Sequence, residues 1–105
     1  MSQFTVYKNR NSASKKVYPY LLDIQSNFLS ELKSTVVLPL SPARKTTDIV
    51  MSRLNPEVEI NGEKFIIMTQ DLAGITRSVL KTKVCDLKQH QQEIIAAMDF
   101  VLSGI

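Results

Sequence analysis

The stretch EVEINGEKFIIMTQ (Glu57–Gln70) carries the clearest folding signal in this sequence. Two runs rich in valine, isoleucine and phenylalanine flank the dipeptide Asn61-Gly62, and such residues are typical of β-strands. A two-residue type I′ turn needs positive φ at both central positions, which asparagine and glycine adopt more readily than other residues. The stretch therefore predicts a β-hairpin that turns at Asn61-Gly62.

The chain before this hairpin contains further strand patterns. QFTVYK (Gln3–Lys8) alternates between apolar and polar residues, which predicts a strand. Pro19 has no amide to donate, so we expect the start of the next strand to lie at a sheet edge. The other runs that predict strands are VYPYLLDIQS (Val17–Ser26), TVVLPL (Thr35–Leu40) and, after a bend at Gly74, a short strand from about Thr76 to Leu80.

The segments between these strands read as connections. Residues 9–16 are polar, basic and small, so we expect an exposed loop. The segment Ser41–Val58 contains two prolines and little periodicity. We expect a long connection there, and connections of more than about 12–15 residues are often functional.

The period of the pattern changes near the end of the chain. Asp86 is placed to cap a helix, and apolar residues recur after it at helical spacing: Leu87, Ile94, Ile95, Met98, Val101 and Leu102. The sequence therefore predicts a mainly β protein with α, an antiparallel sheet or small barrel of about five strands followed by one C-terminal helix.

Size and composition bound the class of protein. With 105 residues, 44% of them hydrophobic, the chain is expected to form a single domain over residues 1–105. It has one cysteine and begins without a signal-like segment, so we expect a cytoplasmic protein. No apolar run reaches the roughly 18 residues of a membrane span. The net charge of +3 is mild, and no direct sequence-specific contact with nucleic acid is expected.

A search for catalytic chemistry finds little. His90 is the only histidine, so no metal-ligand spacing exists, and we expect neither a metal nor a cofactor. Cys85 has two interpretations. It could be a thiolate stabilised near the start of a helix, or a small apolar residue that enters the core, and the second interpretation is favoured. No spacing pairs the carboxylates of Asp23, Asp48, Asp71 and Asp86 for acid and base roles. These features favour a binding protein over an enzyme.

Several short motifs follow one another in order along the chain: QFTVYK, DIQS (Asp23–Ser26), VLPL (Val37–Leu40) followed by PAR, LNP (Leu54–Pro56), MTQDLA (Met68–Ala73), VCDL and the final GI. Together they resemble the CcdB family, the toxin half of bacterial toxin–antitoxin pairs. The resemblance covers nearly the whole chain and implies an SH3-like barrel, a homodimer and a toxin that poisons DNA gyrase. Such a toxin binds the gyrase A subunit and traps the enzyme with cleaved DNA.

The resemblance assigns gyrase binding to the end of the last helix and the residues after it. Ser103 stands where the best-known plasmid members have tryptophan, and Asp99 stands where they have asparagine. Tryptophan is a frequent hot-spot residue, so its absence removes contact area at that position. The residues assigned to gyrase are Asp99, Leu102, Ser103, Gly104 and Ile105.

The resemblance also implies a cognate antitoxin whose disordered, acidic C-terminal tail wraps the toxin. The residues assigned to that contact lie in the basic loop and in the long connection. They are Lys8, Arg10, Lys15, Lys16, Thr47, Asp48 and Val50.

Two alternative functions stay open. The first is an endoribonuclease toxin on a related barrel, for which Arg44, Arg77 and Asp71 are the candidate residues. The second is a non-toxic homologue that still binds antitoxin.

Overall fold

A computed structural model of the chain describes residues 3–25, 32–45 and 53–103. Within these ranges seven strands form one antiparallel sheet, and the helix α1 (Gln91–Ser103) follows them. The strands are β1 (Thr5–Lys8), β2 (Tyr20–Asp23), β3 (Ser34–Pro42), β4 (Glu57–Ile60), β5 (Glu63–Ile67), β6 (Ala73–Thr76) and β7 (Lys83–Asp86).

The nine-residue strand β3 organises the sheet. Its neighbours run in the order β4-β5-β3-β2-β1-β7, and β6 also pairs with β3. One edge of β3 bonds β2, whereas β5 bonds residues 40–42 of the opposite edge and β6 bonds residues 34–37. The sheet curls into a half-barrel, which confirms the predicted mainly β fold with a C-terminal helix. The described strands number seven instead of about five.

The predicted hairpin is confirmed. Strands β4 and β5 pair from Glu57↔Ile66 to Ile60↔Glu63, and the two turn residues have positive φ, +53° at Asn61 and +81° at Gly62. Both angles belong to the left-handed region that a type I′ turn requires.

The predicted bend at Gly74 and strand from Thr76 to Leu80 are wrong. Gly74 lies inside β6, opposite Val36, and the chain forms a 3₁₀ turn over Arg77–Val79 instead of a strand. Glycine is a poor strand residue, but here the open edge of β3 supplies hydrogen-bond partners that outweigh this preference.

Strand β7 was not foreseen at all. It lies in KVCD and pairs with β1, with a register shift between Val6 and Tyr7. Four residues are too few for a reliable alternation, so only the neighbouring edge of β1 makes this segment a strand.

The expected edge position of Pro19 is also corrected. Strand β2 lies between β1 and β3, and it begins at Tyr20, immediately after the proline. The missing amide therefore falls outside the ladder.

The start of the helix is later than the apolar spacing suggested. Asp86 ends β7, and its Oδ1 atom accepts a hydrogen bond from the backbone amide of Lys88 at 3.0 Å. A 3₁₀ turn over Lys88–His90 follows, and regular α-helix begins only at Gln91. Leu87 is still a core residue, because it is buried beneath this turn.

One face of the curled sheet and one side of α1 enclose the core. Among the apolar residues that recur at helical spacing, Ile94 is fully buried and Met98 packs against the core. Ile95 and Leu102 are exposed.

No helix in the described ranges is long and apolar enough to span a bilayer. The core cluster comprises Phe4, Val6, Leu22, Ile24, Leu38, Leu40, Val58, Ile60, Phe65, Ile67, Leu87 and Ile94.

Candidate functional site

The second face of the sheet forms the floor of a groove of about 780 Å³. Side chains alternate across a strand, and register pairs Leu21 with Pro39 and Val37 with Ala73. These four residues and Ile75 therefore share the face opposite the core, and all five line the groove. This volume falls in the range of small-ligand sites, about 300–1,000 Å³.

The basic loop, residues 9–17, forms one wall of the groove and is held in a defined shape. Asn9, which is buried, donates hydrogen bonds through Nδ2 to Ser14 Oγ at 3.0 Å and to the Tyr18 carbonyl at 2.7 Å. Its Oδ1 atom accepts the backbone amide of Asn11 at 3.0 Å. These hydrogen bonds fix the loop, so Arg10 within it and Tyr18 directly after it line the groove in defined positions.

The opposite wall is the segment after β6, and a buried ion pair fixes it to the sheet. Arg77 Nη1 donates to Asp23 Oδ2 at 3.2 Å, where the Asp23 side chain is only 1% exposed. Thr35 Oγ1 donates to the other carboxylate oxygen at 2.7 Å. This anchoring places Ser78, Val79 and Lys81 along the groove.

A carboxylate and a phenol meet at the groove. Tyr18 Oη donates a hydrogen bond to Asp71 Oδ2 at 2.8 Å, between residues that are 53 positions apart in sequence. Asp71 lies in a 3₁₀ turn over Thr69–Asp71, which is fixed to β3 because the amide of Met68 donates to the Pro39 carbonyl at 2.9 Å. The groove therefore contains one carboxylate, one phenol and the two cationic side chains of Arg10 and Lys81.

Two side chains on the sheet have raised pKa values, the buried phenol of Tyr7 and the half-buried thiol of Cys85. Burial, followed by the neighbouring Asp23 carboxylate, raises the pKa of Tyr7, which keeps its phenol neutral. Burial, followed by the Asp86 carboxylate, raises the pKa of the Cys85 thiol. A raised pKa disfavours the thiolate, so it supports the structural interpretation of this cysteine.

The second feature of functional interest is the end of α1. Leu102 is 58% exposed and Phe100 is 36% exposed, and the Arg53 guanidinium lies over the Phe100 ring at 5.1 Å. Asp99 and Ser103 are exposed on the same last turn. The helix end therefore offers apolar surface to solvent beside a carboxylate.

The predicted binding residues fall in different places. Arg10 lines the groove, whereas Lys8 and Lys15 line a separate small hollow with Pro19 and Tyr20. Lys16 is exposed on the loop. Five of the predicted residues lie outside the described ranges: Thr47, Asp48, Val50, Gly104 and Ile105.

The three candidate residues for RNA cleavage do not come together. Arg77 is engaged with Asp23, and Arg44 pairs with Glu63 at 3.4 Å on the surface. Only Asp71 lines the groove. The sequence analysis did not identify Tyr18 and Lys81 as groove residues, because nothing in their sequence spacing relates them to Asp71.

Metal ligation finds no support in the described part of the chain, where no three His, Cys, Asp or Glu side chains form a cluster. His90 Nδ1 instead lies 3.0 Å from Glu93 Oε1 at the start of α1.

The fold is shared with solved toxin structures at low sequence identity. A mycobacterial endoribonuclease in complex with its cognate antitoxin has a TM-score of 0.74 at 12% identity, covering 98% of this chain and 95% of its own. A second mycobacterial endoribonuclease scores 0.70 at 13% identity, covering 98% and 91%. The Mycobacterium tuberculosis toxin MazF-mt6 scores 0.65 at 12% identity, covering 80% and 85%. These likenesses show that the chain shares the fold of the three structures.

The family follows from the sequence itself. The model of the family described as CcdB protein matches residues 3–104, so this chain belongs to the CcdB family. It is accordingly the toxin of a toxin–antitoxin system.

The prediction that the chain is not an enzyme is corrected by these comparisons. Two of the solved structures that share the fold are endoribonucleases. The prediction depended on the lack of paired catalytic residues in the sequence. That reasoning fails on this fold, because the groove brings together side chains as distant in sequence as Tyr18 and Asp71.

Proposed function

We propose that this toxin binds the A subunit of DNA gyrase through the end of α1 and traps gyrase on cleaved DNA. Membership of the CcdB family supports the target, and the exposure of Leu102 carries the proposal. Large apolar side chains left exposed at one helix end are typical of contact surfaces. Because Ser103 offers little area, the apolar contact falls to Leu102 and Phe100. The family resemblance assigns Asp99, Gly104 and Ile105 to the same contact.

A supercoiling assay with purified gyrase, scored for cleaved DNA, tests this proposal. The variant Leu102→Glu should abolish the accumulation of cleaved DNA, because it places a charge in the apolar contact. Val17 is 56% exposed in the basic loop, so Val17→Glu is the matched control and should leave cleavage unchanged. Full activity of the Leu102→Glu protein would contradict the proposal.

Removal of Gly104 and Ile105 gives a second test. We expect the truncated protein to lose toxicity while its melting temperature stays within about 2 °C, because exposed termini contribute little to a core. Early unfolding of the truncated protein would instead assign these residues to stability.

The antitoxin contact is proposed at the basic loop, through Arg10, Lys15 and Lys16, and at Lys8, which ends β1 just before this loop. The connection that holds Thr47, Asp48 and Val50 is proposed to take part as well. Cations beside an apolar groove floor match an acidic segment with apolar side chains. Charge reversal in a double variant, Arg10→Glu with Lys15→Glu, should weaken binding of the cognate antitoxin's tail at least tenfold in fluorescence anisotropy. Reversal of Arg44, which pairs with Glu63, should not.

A second candidate function, cleavage of single-stranded RNA in the groove, is favoured by one observation. The groove combines the Asp71 carboxylate with the cations of Arg10 and Lys81, a combination suited to proton transfer beside a phosphodiester. The endoribonucleases that share the fold add support. Incubation with unstructured RNA, in the absence of gyrase and DNA, separates this function from gyrase poisoning.

A further inference from the structure

Arg53 lies against the end of α1, although it belongs to the segment before β4. Its guanidinium carbon lies 5.1 Å from the centre of the Phe100 ring. Phe100 is 36% exposed and Arg53 is exposed as well, so this cation–π pair forms part of the surface at the helix end. Two elements of the chain therefore build that surface together.

The buried Asn55, two residues after Arg53, holds this segment in place. Asn55 is 2% exposed, and its Nδ2 atom donates to the Ile67 carbonyl at 3.0 Å and to Gln70 Oε1 at 2.7 Å. The backbone amide of Ile67 in turn donates to the Pro56 carbonyl at 2.9 Å. These bonds fix the segment to the end of β5 and to the 3₁₀ turn after it, so Arg53 reaches the helix from a fixed backbone.

We infer that Arg53 is a specificity-determining residue of the gyrase contact and that its guanidinium pairs there with a carboxylate of the A subunit. This inference rests on the proposed gyrase function. In the described part of the chain the ion pairs involve other residues, and no carboxylate there pairs with Arg53. A guanidinium that lies on a ring keeps its N–H donors at the edges of its plane, where they match the two oxygens of a carboxylate.

The pair of Arg53 and Phe100 supplies contact area that Ser103 lacks. Serine offers little surface, whereas aromatic and arginine side chains are frequent hot spots at interfaces. Because the ring already holds the guanidinium, less side-chain freedom is lost on binding. The pair therefore provides both an apolar surface and a charge that selects the partner.

The charges around the pair favour a carboxylate over the phosphates of DNA. Asp99 is exposed on the same helix turn as Phe100, and its negative charge would repel a phosphate backbone. Surfaces that bind the DNA backbone gather several cations, whereas here the apolar side chains of Leu102 and Phe100 and an anion adjoin Arg53. Such a mixed surface suits an apolar patch of a protein with an acidic residue at its rim.

Binding of the full-length toxin to the purified gyrase A subunit, measured without DNA, tests the inference. We expect Arg53→Gln to weaken binding at least tenfold, the scale of a lost charge pair at an interface. Arg53→Lys should recover part of the affinity, because lysine keeps the charge and loses the planar set of donors. In a Phe100→Leu background, which itself binds more weakly, Arg53→Gln should have a smaller effect, because the guanidinium has already lost its ring.

The dependence on salt separates a charge contact from a loss of structure. The affinity of the unmodified toxin should fall as NaCl rises from about 50 to 300 mM, and this fall should be shallower for Arg53→Gln. Arg44 is exposed and pairs with Glu63, so Arg44→Gln is the matched control and should bind as the unmodified toxin does. The melting temperatures of Arg53→Gln and the unmodified toxin should agree within about 2 °C, since an exposed cation–π pair contributes little to stability.

The outcomes separate the inference from the function on which it rests. If the unmodified toxin neither binds the A subunit nor accumulates cleaved DNA, the gyrase proposal fails, and the inference fails with it. If the unmodified toxin binds and Arg53→Gln binds equally well, the gyrase contact stands and the role of Arg53 is overturned. An effect of Arg53→Gln that appears only when DNA is bound to gyrase would overturn the pairing with a carboxylate and assign Arg53 to a phosphate.

Discussion

Asp23 shows, at the scale of the residue, how a charge is held inside this protein. Its side chain is 1% exposed, and burial of an unpaired carboxylate costs several kcal/mol. Arg77, Thr35 and the backbone amide of Gln25 all donate to it. From the sequence, Arg77 was a candidate only for the alternative function of RNA cleavage. In the structure its guanidinium stabilises the carboxylate that anchors one wall of the groove.

Removal of Arg77, the charged partner of Asp23, should destabilise the folded state. We expect Arg77→Leu to lower the free energy of unfolding by about 3 kcal/mol in urea denaturation, because a buried carboxylate then loses its counter-charge. The control Arg44→Leu breaks an ion pair whose side chains are 62% and 44% exposed. That change should cost less than about 1 kcal/mol, as exposed pairs do. Equal costs for the two variants would contradict this account.

Cys85 allows a test of pH dependence. Burial raises the pKa of its thiol above the ordinary value of 9.0, so the folded state binds the proton more tightly than the unfolded state. The resulting stability is complete below pH 9.0 and is lost as the pH rises through the folded-state pKa. We expect Cys85→Ala to have a shallower alkaline decline in melting temperature, and Cys85 to react more slowly with iodoacetamide in the native protein than in urea. Equal rates would argue against this.

Among the secondary-structure elements, the β4–β5 hairpin is specified both by its turn residues and by its core residues. The turn requires left-handed backbone at Asn61 and Gly62, and the paired strands contribute Val58, Ile60 and Phe65 to the core. Local sequence and core packing therefore favour the same register. A one-residue slip would turn these side chains away from the core.

Two glycines give a matched pair of variants. A Cβ at Gly62 or at Gly74 would meet no atom within 4 Å, but only Gly62 has positive φ, at +81°. Gly62→Ala should therefore lower the free energy of unfolding by about 1 kcal/mol, the cost of left-handed backbone for an L-residue. Gly74→Ala should be neutral or stabilising, because β6 already holds an extended backbone. Chemical denaturation measures the free energy of unfolding of both variants. Equal changes in the two variants would contradict the explanation that the cost at Gly62 comes from its positive φ.

At the scale of the whole molecule, α1 leaves apolar surface uncovered along its length. Ile95, Phe100 and Leu102 are 42%, 36% and 58% exposed. A two-fold dimer that covers part of this surface would also duplicate the helix end toward a dimeric target. We propose that the chain forms such a dimer, so that the proposed gyrase contact involves both copies of the helix end.

Sedimentation at micromolar concentration tests this assembly. We expect a mass about twice the 11.8 kDa of one chain, because a small domain gains stability by burying such a surface. Ile95→Glu should shift the mass toward that of a single chain, whereas Val17→Glu in the basic loop should not. A single-chain mass for the unmodified protein would contradict the dimer.

The sequence by itself determined the hairpin, the C-terminal helix and the mainly β class. Each of these depends on neighbours in the chain: two turn residues that tolerate positive φ, or apolar residues at a helical spacing. The ordered motifs also established the family resemblance, which the match over residues 3–104 confirms.

Only the tertiary structure decided strands β6 and β7, the partner of Arg77 and the contents of the groove. Strand β6 exists because one edge of β3 was open, and β7 exists because the edge of β1 was open. The Tyr18–Asp71 contact joins positions 53 residues apart. No local pattern encodes such a distance, because it is set by how the sheet curls and by where the hydrogen bonds of Asn9 hold the basic loop.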